Sequence, residues 1–103
     1  MTHYAFYAKF TTHPGEQDTL ARRFLQVAEA LEEFTGCELF AVAVPLEEAD
    51  AVYVTEAWSS QEAHSAALAD ERVSAITGQL PGLLAAAPER VTLVPLGGKG
   101  LRV

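Results

Sequence analysis

The chain has 103 residues, half of them hydrophobic, with 14 acidic against 7 basic side chains and a net charge of −7. That length supports one domain with a genuine core, and the scattered Lys and Arg form no cluster of the kind that binding to nucleic-acid phosphates requires. No apolar run approaches the roughly 20 residues that a membrane-spanning helix needs, so no membrane partner is expected.

Residues 3–11 alternate Tyr4, Phe6, Ala8 and Phe10 with Ala5, Tyr7, Lys9 and Thr11, which predicts a strand with aromatic residues on both faces. Such a strand belongs to a sheet covered twice, by helices on one side and by a second subunit on the other. Pro14-Gly15 is expected to open a helix, since proline fits a first turn. Leu20, Phe24, Val27, Leu31 and Phe34 then recur at spacings of three and four, and Gly36 is a plausible stop.

Cys37–Val44 and Ala51–Trp58 read as two further strands joined by the acidic turn after Pro45. Ser59 and Glu62 match the capping-box pattern for a helix over about 60–69. Asp70 caps a shorter helix carrying Val73, Ile76 and Leu80 inward, and Pro81-Gly82 breaks it before one more turn over 83–86. Arg90–Leu96 is the fourth strand, and Gly97-Gly98-Lys99-Gly100 begins a tail over 97–103. The order β-α-β-β-α-β, with a broken second helix, is that of a ferredoxin-like α+β domain over 1–96: a four-stranded antiparallel sheet with helices on one face.

Several chemistries lack support. The Gly-rich tail follows the last strand with no helix after it, so it is no phosphate loop. One Cys and three separated His make no metal-ligand spacing. Ser59, Ser60, Ser65 and Ser74 have ordinary helix explanations rather than nucleophilic ones. The lone Cys37 cannot form an internal disulfide and reads as a buried, inert thiol. Met1-Thr2-His3-Tyr4 lacks the layout of a signal peptide, so a soluble cytoplasmic protein is expected.

Pro14-Gly15, Gly36-Cys37, the run Thr55-Glu56-Ala57-Trp58-Ser59-Ser60, Glu62-Ala63-His64 and the closing Gly97-Gly98-Lys99-Gly100 together resemble the antibiotic biosynthesis monooxygenase family of dimeric α+β barrels. The resemblance covers nearly the whole chain. It implies a homodimer whose sheets pack face to face, with a cavity in each subunit between sheet and helices. It also implies oxidation of a phenol, anthrone or quinol by O2, with neither metal nor flavin as cofactor. The haem-degrading branch uses an Asn on the first strand, a Trp on a later helix and a His ligand. This chain contains no Asn, and its one Trp ends a strand, which argues against haem oxygenation.

Within that frame Trp58 and His64 are the candidate catalytic residues. Trp58 shares a strand face with Glu56 and Val54, and is either a wall for a planar ring or a core residue. His64, about one helical turn beyond, is either a proton acceptor for a phenol or a half-exposed surface side chain. Glu56 is a rim charge or a buried acceptor. Tyr4, Phe6, Phe40, Glu56 and Leu68 are the candidate substrate-binding residues, with packing as the alternative for the aromatics. His3 and His13 read as solvated. Two functions follow: a cofactor-independent monooxygenase acting on a small aromatic substrate, or a non-catalytic dimeric protein that binds a small aromatic or apolar metabolite.

Overall fold

The computed structural model describes residues 3–101. Its elements run β1 (Tyr4–Thr11), α1 (Gln17–Ala30), β2 (Cys37–Ala43), β3 (Ala51–Trp58), α2 (Gln61–Ala69), α3 (Glu71–Thr77) and β4 (Glu89–Leu93), with 3-10 turns at Leu31–Glu33 and Pro81–Leu83. The four strands form one sheet in the order β2-β3-β1-β4, antiparallel at every pairing. This is the ferredoxin-like α+β arrangement that the order of elements implies.

Strand register assigns the two faces. Phe40, Glu56, Phe6 and Thr92 stand in one row across the sheet, and Val42, Val54, Ala8 and Arg90 in the next. Because directly paired residues share a face, these rows form one surface, and it is the surface that α1 covers. The apolar stripe of α1 buries Leu20, Phe24 and Val27 against it, and Leu31 continues the stripe into the 3-10 turn. One core cluster joins Leu20, Phe24, Val52, Val54 and Leu80; a second joins Val27, Leu31, Trp58, Ala67 and Val73. The opposite face carries Leu39, Tyr7, Val91 and Leu93, each between 42% and 51% exposed.

Element ends depart from the sequence reading for identifiable reasons. Pro14-Gly15 does not open α1. Glu16 N–H donates to the His13 carbonyl at 3.1 Å and Gly15 has φ +83°, which is a turn with Pro second and Gly third, the type II pattern. The helix starts only at Gln17, and Ala30 ends it, where the backbone tightens into the 3-10 turn. At the next helix Ser60, not Ser59, is the cap: its Oγ accepts from Ala63 N–H at 3.0 Å. Ser59 is held instead by its N–H donating to the Gly36 carbonyl at 2.8 Å, which extends the link between β3 and the start of β2. Asp70 caps α3 through Arg72 N–H at 2.9 Å, as its position implies.

The last strand is shorter than its apolar run. Leu93 pairs with Ala5, at the start of β1, so β4 has no partner strand beyond that point. Leu96 is fully in solvent. Of the tail expected over 97–103, residues 97–101 show only a turn closed between Gly98 and Leu101, and residues 102 and 103 lie outside the described residues.

Candidate active site

A cavity of about 370 Å³ lies between the inner sheet face and the helices, within the range of small-molecule sites. Its body is apolar: Phe10, Phe24, Val27, Leu31, Phe40 and Val73 form most of the wall. The polar groups gather around Phe6, where Glu56, His64 and Arg90 also line the space.

Strand alternation places Glu56 and Trp58 on the same face of β3, and their side chains meet. The Trp58 indole N–H donates to Glu56 Oε1 at 3.0 Å, fully out of water. From the first turns of α2, His64 Nε2 reaches the same Oε1 at 3.8 Å. That gap is longer than a hydrogen bond. Burial pushes the Glu56 carboxyl up to about 7, while the Trp58 donor and the Arg90 charge oppose the rise. Burial, then the Arg90 charge, hold His64 below the ordinary imidazole value. Both shifts favour the uncharged forms, which weakens an ion pair at this contact.

The imidazole is enclosed by rings. Its centroid lies 5.2 Å from Trp58, 5.3 Å from Phe6 and 5.4 Å from Tyr4, and only 7% of His64 is exposed. This excludes the surface alternative for His64. Arg90 enters from β4, its guanidinium carbon 3.7 Å above the Phe6 centroid, and donates a hydrogen bond to the Tyr4 hydroxyl. The arrangement can accept a proton at the imidazole, hold a buried carboxyl beside it, and set a positive charge over the neighbouring ring.

Of the residues singled out in the sequence, Trp58, His64, Phe6, Phe40, Glu56 and Leu68 line the cavity. Trp58 is at once cavity wall and core, 2% exposed and packed in the second cluster. Leu68 is partly exposed at the cavity margin. Tyr4 stands behind the wall, touching His64 and Arg90 rather than the open space. Glu56 is the buried acceptor of its two alternatives. Cys37 is half-buried, and desolvation, with the Glu56 charge adding to it, pushes its thiol up to about 11, so it stays protonated and unreactive at neutral pH. His13 is exposed, and His3 lies partly exposed 3.4 Å from Glu38.

Arg90 is the functional candidate that the sequence reading passed over. One signal marks it: in the run Glu89-Arg90-Val91-Thr92-Leu93, alternation puts Arg90 on a face of its own with Thr92, opposite the apolar Val91 and Leu93. Among the described residues no three His, Cys, Asp or Glu side chains come together as a metal-binding group, and no helix is long and apolar enough to cross a membrane.

Comparison with known proteins agrees with this layout. A candidate antibiotic biosynthesis monooxygenase from Chloroflexus aurantiacus is 31% identical, covers 98% of this chain and 100% of its own, and superposes with a TM-score of 0.88. A candidate of the same kind from Caulobacter crescentus, 18% identical over 92% of this chain and 91% of its own, gives 0.83. Another from Nitrosomonas europaea, 10% identical over 92% and 91%, gives 0.84; these two show the fold alone. No functionally curated protein matches the sequence. The antibiotic biosynthesis monooxygenase family profile matches residues 4–79, the span from β1 through α3 that carries Glu56, Trp58 and His64, and the chain belongs to that family.

Proposed function

We propose that the protein is a cofactor-independent monooxygenase acting on a small electron-rich phenol, anthrone or quinol. The observation that carries this reading is the Glu56–His64 pair. Among the described residues these are the two buried ionisable side chains, and they meet 3.8 Å apart inside an apolar cavity.

The substrate ring lies against the aromatic wall, and the neutral His64 accepts the phenolic proton. The phenolate, kept from water, gives one electron to O2; the resulting pair recombines to form a C–O bond at a ring carbon. Cleavage of the O–O bond leaves one oxygen on carbon as a carbonyl, and the other departs as water with the two hydrogens lost by the substrate. Phenol plus O2 thus gives quinone plus water, with the substrate as the only reductant. The Glu56 carboxyl, fixed by Trp58, stands beside the base, and Arg90 favours the anionic intermediate.

A homodimer is part of this reading. The face of Leu39, Tyr7, Val91 and Leu93, opposite the helices, is apolar and open, and a second copy laid on it closes the barrel. Turnover of 1-naphthol under 18O2 tests the chemistry: one labelled atom is expected in the quinone and one in water. Ring-bearing molecules that bind without any such product would favour the non-catalytic binding protein.

A further inference from the structure

Arg90 is, among the described residues, the one permanently charged cation on the cavity wall. Three other cations are paired, whereas among the described residues Arg90, like Arg23 and Lys99, is in no salt bridge, and of these three it alone lines the cavity. Lys9 sits against Glu48, Arg22 against Asp18, and Arg72 against Glu33 and Asp70. No carboxylate among the described residues lies within salt-bridge distance of Arg90, in a chain whose acidic groups outnumber its basic ones two to one. Of its five N–H donors, one bond is made, to the Tyr4 hydroxyl. The guanidinium is otherwise held in place by the Phe6 ring beneath it.

Position adds to the argument. Arg90 and His64 lie against the same Phe6 ring, 3.7 Å and 5.3 Å from its centroid, so the cation sits at the end of the cavity where the acid–base pair is. Glu56 forms no salt bridge with it, and burial disfavours charge on that carboxyl. Apart from the Thr77 side chain, the rest of the wall is apolar. An apolar chamber whose polar end carries one planar, bidentate-capable cation, exposed to solvent and paired with no carboxylate among the described residues, suits a planar monoanion attached to a ring.

We propose that Arg90 forms a carboxylate subsite, and that the cavity selects aromatic molecules bearing a carboxylate over their uncharged counterparts. The proposal takes the cavity as the reaction site described above, and adds the substrate class that site prefers.

The test is calorimetric binding of 2-naphthoate and of 2-naphthamide, which match in shape and differ in charge. The expected preference of the wild type for the naphthoate is on the order of tenfold, between the few-fold worth of an exposed ion pair and the hundredfold of a desolvated one. Arg90→Gln should abolish the preference while the amide binds within about threefold of wild type, because the apolar contacts remain. Arg90→Lys, which keeps the charge and loses the fork, should retain part of it. A wild type that binds the two ligands equally, or neither, overturns the proposal even if Arg90→Gln fails to fold. So does an Arg90→Gln protein that still prefers the naphthoate. Failure of the oxygenase reading shows up differently: the naphthoate preference would stand while no substrate, charged or neutral, consumed oxygen.

Discussion

At the scale of single residues, the site rests on a carboxyl kept out of water beside an imidazole kept out of water. Glu56 has a folded-state value raised to about 7, so the unfolded chain gives up its proton first. Between about pH 4.5 and 7 the folded state holds the extra proton, and stability falls as pH rises through that window. The cost of the charged form at pH 8 is up to about 3 kcal/mol. Glu56→Gln keeps an oxygen acceptor for the Trp58 indole and removes the titration. It should raise the melting temperature at pH 8 by more than about 5 °C and change it little at pH 5, as followed by circular dichroism. Equal shifts at both pH values would mean that Glu56 is not a buried acid. His64 behaves in the opposite sense. Its folded value lies below 6.5, so its contribution is complete above that pH and is lost as pH falls. The acid limb of kcat/KM should lie below pH 6.5 for the same reason.

At the scale of elements, one glycine decides how closely α2 approaches the start of β2. A Cβ on Gly36 would stand 2.7 Å from the Ala63 Cβ and 3.2 Å from Ser59 Oγ. Gly36→Ala should therefore push the first turn of α2 outward, with His64 on it. A loss of about 1–3 kcal/mol in urea unfolding is expected, together with a fall in any activity that His64 carries. Ser60→Ala removes the cap on the same turn and should cost about 1 kcal/mol. The sequence made the Glu56–Trp58–His64 grouping legible because it is local: alternation along β3 and a turn of α2 bring the three together within nine residues. Alternation marks the face of Arg90 but not its place in the site, since it meets Tyr4 across 86 positions, through a β1–β4 pairing whose register no local pattern states. The start of α1 was misread because Pro-Gly serves a type II turn as well as a first helical turn, and only the backbone of Gly15 separates the two. The four strands and the helix stripe were legible because each is written in its own periodicity.

At the scale of the whole molecule, the sheet presents helices on one face and open apolar surface on the other. If a second copy covers that surface, the protein sediments at twice its 11.1 kDa chain mass. Val91→Glu, which puts a charge on the open face where Val91 is 51% exposed, should yield a folded monomer in analytical ultracentrifugation. A wild-type monomer would remove the dimer from the account without touching the cavity. The cavity itself is built within one chain from all four strands and the helices, so its chemistry can be tested directly. The deciding measurement is oxygen uptake by chelator-treated protein with a naphthol or anthrone, wild type against His64→Ala. Uptake above autoxidation that falls by roughly 10²- to 10⁴-fold in the variant, with KM little changed, is the expected result for loss of a general base. Uptake that survives the substitution, or none in the wild type across the panel, would contradict the assignment of His64 as the base of an oxygenase.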